Sequence, residues 1–326
     1  MTFTSTFGLT AAVLALEAIF GYPAFLLRVI GHPIMWIGVL IGATESRLNR
    51  QSTNAQIQKL SGVVALVFWL ACVGICGVVV TRLLGTSIFG ELVLALLATS
   101  LLAQRSLHDH VRAVATALER EGVEPARAAV GRIVGRNAAD LDEAGIARAA
   151  IESLAENFSD GVVAPAFWLA VGGLTGAMLY KTINTADSMV GHRTPRFANF
   201  GWGSARLDDL VNLPAARLAA LLFAAAAVFG GFASAREVWR ATRRDAPKHL
   251  SPNAGWPETA MAGALGLKLG GPRVYGENVV DGAFMGDGRC DANAKDIFRA
   301  LELFRRAAAI QICCYAALAL VFIWRG

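Results

Sequence analysis

Apolar runs of membrane length recur along this chain, at about 7–27, 61–80, 83–103, 162–180, 209–232 and 307–324. Roughly 20 apolar residues in a helix cross the hydrocarbon core of a bilayer, where every backbone N–H and C=O must be satisfied internally. The pattern therefore predicts an all-α fold: a polytopic integral membrane protein with five to six spans. Composition agrees, since the chain is 55% hydrophobic and 17% charged, against about 25% charged in soluble domains. The run at 83–103 carries Glu91. The run at 162–180 carries Gly172, Gly173 and Gly176 and points to a broken or re-entrant segment, with small residues permitting close helix contact. Glu17 lies inside the first run and needs a partner there.

The polar stretches between the runs are rich in Lys and Arg at 28–60, 104–160 and 233–306. The positive-inside rule puts these three on the cytoplasmic side of the inner membrane. Strict alternation would send 181–208 outside although it carries Lys181, Arg193, Arg196 and Arg206, and a re-entrant span would return it to the cytoplasm. The net charge of +5 does not imply nucleic acid. The cations from Arg236 to Lys248 and at Arg305 and Arg306 adjoin apolar runs, which suits anionic lipid head groups. The expected organisation is a single membrane-embedded domain over 1–326. Within it lie an amphipathic helical segment at 104–160 and a polar region at 233–306 with a substrate-loop candidate at 251–277. Leu107, Val111, Val114 and Leu118 follow helical spacing. Further helices are expected from Glu124-Pro125, from Glu143 to Asn157, and at 257–267 inside an otherwise loop-like 251–295. The five cysteines read as small hydrophobes and not as a disulfide framework.

Four constellations carry candidate chemistry. Glu152, Glu156 and Asp160 follow Arg148 at i, i+4 and i+8, so a continuous helix stacks them on one stripe. Stacked carboxylates repel unless a cation joins them, and Mg2+ takes oxygen ligands and often bridges to phosphates. A solvated face neutralised by Arg148 is the plainer alternative, and the position at the entrance to an apolar run favours function. Lys181, Asn184 and Asp187 recur every three residues. Lys181 either snorkels to the interface or contacts phosphate, with Asp187 serving a metal. Arg206, Asp209 and Asn212 repeat that step beside Asp208. Arg217 lies deeper in an apolar run, where an unpaired cation is expensive, and Asp187, Asp208 or Asp209 is its expected partner. Finally, Ser251-Pro-Asn-Ala-Gly-Trp-Pro-Glu258 leads from a turn into a short helix, where Glu258 is either functional or a capping residue. His32 reads as structural. There is no GxxxxGK[ST], GxSxG, HExxH or dinucleotide fingerprint.

The stretches Gly31-His32-Pro33, Ala149 to Asn157 with Asp160-Gly161, Tyr180-Lys181 with Asn184-Thr185, and Asp187 to Gly191 form an ordered set. It continues through Ser204-Ala205-Arg206, Asp208-Asp209, Asn212, Pro214-Ala215, Arg217-Leu218 and Ser251 to Glu258. In these residues, and over nearly its whole length, the chain resembles the CobD/CbiB family, the adenosylcobinamide-phosphate synthases of cobalamin biosynthesis. It departs from that pattern at Tyr22, where the family often has an acid, and after Tyr275, where a double glycine is expected. The resemblance implies a carbon–nitrogen ligase that uses ATP to join a propionate of adenosylcobyric acid to aminopropanol or its O-phosphate. Under it, Glu152, Glu156, Asp160 and Asp187 are candidates for Mg2+ and the nucleotide phosphates. Glu156, Lys181, Asp187, Asp208 and Asp209 form the candidate catalytic set, with Asp208 or Asp209 taking the proton of the attacking ammonium. Lys181, Arg193 and Arg206 would hold phosphate charge. Asn157, Asn184 and Asn212 join them as binding residues, and Asn253, Trp256 and Glu258 form part of a corrinoid or amine pocket. Expected partners are the corrinoid, the amino alcohol, the bilayer and other late cobalamin-pathway membrane enzymes.

Two other readings fit a polytopic chain. A membrane carrier would explain broken spans and intramembrane charge, but the sequence has no repeated half. A signalling or scaffold protein of the AmpE-like type need not keep the constellation of Glu156, Lys181, Asp187, Arg206 and Asp209.

Overall fold

A computed structural model describes residues 6–22, 27–29, 31–50, 54–85, 87–135, 137–192, 194–271, 273–275, 278–280 and 282–325. The protein is a polytopic helical membrane protein. Among the described residues six helical segments are long and apolar enough to cross a bilayer: Leu27–Leu48, Ala55–Leu84, Ile88–Arg120, Glu143–Val190, Trp202–Gly230 and Ala294–Trp324. One differs from the expected set. The first apolar run yields only the 15-residue helix Thr6–Phe20, which stops before Gly21-Tyr22-Pro23, a helix-ending sequence. The polar stretch 28–60 instead contains the helix Pro33–Leu48, begun by Pro33 in the first turn and by His32, whose Nδ1 accepts from the Ile34 N–H. Its apolar residues end before Glu45 and Arg47, so it is too short a hydropathy peak to stand out in the sequence.

The contacts divide the chain into two compact units. The first comprises Met1–Ala103, Ala164–Asn212 and Cys314–Gly326. Asn54 and Ser87 cap the helices Ala55–Leu84 and Ile88–Thr99 by accepting backbone N–H bonds, satisfying donors that a helix start leaves open. The core joins Ile37 and Ile41, Leu66, Trp69 and Val73, Ala186 and Val190, and Phe200. Outward positions such as Val39, Leu83 and Phe89 stay exposed although apolar, as expected where lipid and not water is the solvent. The helix Ala164–Val190 is broken at Gly173, which has φ 60° and ψ −158°. An L side chain would be strained in that conformation, so the glycine-rich stretch is a broken helix.

The second unit comprises Gln104–Val163 and Leu213–Cys313. Leu107, Val111, Val114 and Leu118 all face inward from the helix Gln104–Arg120. Asp142 caps the helix Glu143–Phe158, and Phe158 packs against Phe223 and Phe304 with ring centroids 4.7 and 5.4 Å apart. The short helix expected at 257–267 runs Gly255–Leu265. Residues 251–295 are not all loop: Leu269–Gly270 pairs antiparallel with Phe284–Met285, and Arg273–Tyr275 with Asn278–Val280. Strands of two or three residues are too short to register as an alternation.

Asp245 anchors this unit. Its buried carboxylate accepts from Arg244, Lys248 and the Gly286 N–H at 2.6, 2.8 and 3.1 Å. Burial alone would push its pKa up, but these donors favour the charged form and together outweigh it, holding the pKa at about 2, below the ordinary 3.8. A carboxylate depressed in the folded state stabilises it above the unfolded pKa and loses that contribution as pH falls through the folded one. The melting temperature of the wild-type protein should therefore drop between about pH 4 and pH 2, and Asp245→Asn should flatten that drop while lowering stability at pH 7. Parallel acid limbs for the two proteins would show that Asp245 is not responsible.

Candidate functional site

In the first unit, the helix Ala164–Val190 and the first turns of the helix Trp202–Gly230 bring two of the sequence constellations together. The buried Tyr180 hydroxyl donates to Asn212 Oδ1 at 2.9 Å, and Asn212 Nδ2 donates to Asp208 Oδ2 at 2.9 Å. The second carboxylate oxygen, Asp208 Oδ1, is buried without a hydrogen-bond partner among the described residues. Asn184 also lies against Asp208, and the charges of Asp187 and Asp209 reach it. Lys181 Nζ donates to Asn184 Oδ1 at 3.3 Å. At the exposed edge, Arg206 stands 3.9 Å from Asp209. Gly191 closes the helix next to Asp187. A Cβ there would sit 1.9 Å from Asp187 Oδ1, so only glycine leaves that carboxylate its place.

Chemically, this cluster combines three neighbouring carboxylates with an ammonium. The concentrated negative charge attracts a cationic amine. Asp208 has one oxygen tied to Asn212 and the other buried beside Asn184, and a carboxylate fixed in this way is a candidate proton acceptor. Asp187, Asp208, Asp209, Asn184, Asn212 and Lys181, drawn from two separate spacing patterns in the sequence, are thus neighbours. Tyr180 is a member that sequence reasoning missed. Its only signal was a phenol in an apolar run, which needs a partner when buried. Arg193 lies outside the described residues.

In the second unit, Arg217 is partnered by neutral groups and not by an aspartate as expected. Its Nη1 donates to Asn253 Oδ1 at 3.0 Å and to the carbonyls of Pro252 at 3.1 Å and Leu213 at 3.3 Å. Its guanidinium lies 4.5 Å over the Trp256 ring, and Trp239 stands 6.2 Å from Trp256. The loop beginning at Ser251 therefore closes over Arg217, and one face of Trp256 is already occupied by a cation. Ser251 Oγ accepts from the N–H groups of Asn253 and Ala254. His249 Nδ1 lies 3.0 Å from the Ser251 N–H and 3.3 Å from the Ser251 carbonyl, and its Nε2 faces the buried Glu258 Oε1 at 3.8 Å. His249 was not foreseen. Its signal would have been its position two residues before the Ser-Pro turn.

The stripe of Glu152, Glu156 and Asp160 is less uniform than its spacing suggests. Residues Ser159–Val163 form a π-turn, so Asp160 sits where the regular helix widens. Glu152 is buried and accepts the Gly270 N–H at 2.8 Å. Glu156 and Asn157 are exposed. Arg148 donates to the carbonyl of Cys290. Magnesium needs several converging oxygens, yet among the described residues no three of His, Cys, Asp and Glu are placed to hold a metal ion. These donors do not fit a resident magnesium cage.

Comparison with known proteins points one way. The family model described as CobD/Cbib protein matches residues 9–304. The chain is 48% identical over 310 residues to the cobalamin biosynthesis protein CobD of Rhizobium meliloti (strain 1021), covering 94% of this chain and 95% of that one. It is 48% identical over 294 residues to the protein of that name from Brucella anthropi, covering 89% and 90%. It is 45% identical over 296 residues to that of Rhodobacter capsulatus, covering 91% and 92%. No solved structure matches it.

Proposed function

This chain belongs to the CobD/CbiB family, and on that premise we propose that it is an ATP-dependent amide ligase of cobalamin biosynthesis. It would join a propionate of adenosylcobyric acid to aminopropanol or its O-phosphate. The observation that carries this reading is the Lys181–Asn184–Asp208–Asn212 cluster with Asp187 and Asp209 beside it. It holds an ammonium, a positioned carboxylate and two further acids in one place, and a carrier or scaffold has no need for that combination.

A carboxylate does not condense with an amine until one of its oxygens becomes a leaving group. In the proposed reaction a propionate oxygen attacks the γ-phosphorus of ATP, the bond to the β-phosphate breaks, and ADP leaves. The amine nitrogen then attacks the acyl carbon, inorganic phosphate departs, and the nitrogen loses its proton. Lys181 holds charge on the transferred phosphoryl group. Asp208 accepts the proton of the nitrogen, with Asn212 and Tyr180 fixing its orientation. Asp187 and Asp209 draw the cationic amine to the cluster. Magnesium supplied with ATP neutralises its phosphates. Because the chain's acids do not form a cage for it, no step here depends on a protein-held ion.

The direct test is ligation by the purified protein in detergent with adenosylcobyric acid, Mg-ATP, and either aminopropanol or its phosphate, followed by mass spectrometry. The expected result is an ATP-dependent mass gain with one of the two amines. A folded sample that binds corrinoid but forms no product with either amine would sink the proposal.

A further inference from the structure

The helix Ala235–Asp245 turns one stripe of side chains, Glu237, Arg240, Ala241 and Arg244, into a cavity of about 460 Å3. Gly263–Gly266 forms the facing wall and Phe232 one end. The cavity belongs entirely to the second unit and lies apart from Arg217 and the Ser251 turn in its lining. It sits where one apolar segment ends and another begins. The span Trp202–Gly230 ends two residues before Phe232, and the apolar run of the last helix starts immediately after Arg306. Arg306 ties these ends together: it donates to the Phe229 carbonyl at 3.2 Å. Its guanidinium lies 6.0 Å from the Phe232 ring, and that of Arg299 lies 5.8 Å from the same ring. The cavity therefore adjoins the ends of two apolar segments, where the head groups of a bilayer would replace its hydrocarbon.

The acids around this cavity are committed. Glu237 accepts from both the N–H and the hydroxyl of Ser234 in a capping box, which favours its charged form and lowers its pKa. Asp287 accepts from Arg244 at 2.6 Å, and Glu302 from Arg306 at 2.6 Å. Arg240 is different: it reaches Glu237 only through its field, and no hydrogen-bonded partner is seen for it among the described residues. A guanidinium without a bonded acid, in a concave site at head-group depth, favours a phosphate oxygen.

We propose that this cavity receives the phosphodiester of an anionic phospholipid, with Arg240 on the phosphate and the Phe232 edge against the glycerol carbons. The same chemistry could be met by a small soluble phosphate, so the test must separate the two sources. Full-length protein in detergent is examined by native mass spectrometry with equal concentrations of phosphatidylglycerol and phosphatidylcholine. Wild type should retain phosphatidylglycerol preferentially. Arg240→Gln should reduce that retention about fivefold, the scale set by one basic residue at an anionic membrane, with an unchanged melting temperature. Arg243→Gln, which removes an exposed arginine outside the cavity lining, should retain it. Equal retention by wild type and Arg240→Gln would overturn the site. Displacement of the lipid by equimolar glycerol phosphate would overturn the lipid assignment in favour of a soluble ligand. Neither readout involves amide formation, so the outcome is independent of the ligase proposal.

Discussion

The Asp208→Asn protein should insert and fold like wild type and form amide about 10²–10⁴-fold more slowly, the range lost when a general base is removed. The exchange is nearly isosteric. An asparagine at 208 can still offer its oxygen to Asn212 Nδ2, so the Tyr180–Asn212 link at 2.9 Å survives. What is lost is the proton-accepting oxygen that is now buried without a partner. The loss should appear in kcat, because the proton moves only as the amide forms. Asp209→Asn is the internal control. Asp209 draws the amine without taking its proton, so its removal should raise KM for the amine and leave kcat far closer to wild type than Asp208→Asn does. Comparable turnover by wild type and Asp208→Asn would show that another group accepts the proton.

The second large effect concerns Arg217, whose replacement by alanine should release the Ser251–Trp256 turn. The guanidinium is the donor that joins Asn253 Oδ1 to the Pro252 and Leu213 carbonyls, and it also covers the Trp256 ring. Hydrogen bonds to a charged group contribute roughly 1.5–3 kcal/mol each, and a cation over an aromatic face adds about 0.5–2 kcal/mol. Because one nitrogen with two protons serves three acceptors, the lower end of that range applies, and losing the set should lower local stability by at least about 3 kcal/mol, or roughly 100-fold in amide exchange over residues 251–256. Exchange in the helix Gln104–Arg120 should not change. Arg217→Lys should fall between wild type and alanine, because a lysine keeps the charge but not the planar fork. Protection at 251–256 that is the same in wild type and Arg217→Ala would remove Arg217 from its anchoring role. Ligation by Arg217→Ala should also weaken through KM for the corrinoid if this turn forms its pocket.

Much of the fold was legible in the residues themselves. Hydropathy located most of the membrane-length helices because lipid imposes a length and an all-apolar composition that few other environments require. The spacing of Leu107, Val111, Val114 and Leu118 predicted an inward helical face, and all four are buried. The three glycines near 172 marked a weak point, and the break falls at Gly173. The helix Pro33–Leu48 escaped notice because its apolar stretch is short. The small strands after residue 268 escaped because two or three residues carry no periodic signal.

The candidate site divides in the same way. Three-residue steps grouped Lys181 with Asn184 and Arg206 with Asp209, and each pair is in contact, because residues three or four apart share a helical face whatever surrounds them. Identity of residue type and local spacing were therefore determined by the sequence alone. Which face meets which was decided by the tertiary structure. Tyr180 reaches Asn212 across 32 positions, Arg217 reaches Asn253 across 36, and Glu152 reaches Gly270 across 118. A nearby aspartate was the natural sequence partner for Arg217, yet its hydrogen bonds go to an amide and two carbonyls. A buried donor takes whichever acceptor the packing of the backbone brings within about 3 Å, and no local pattern in the chain encodes that distance.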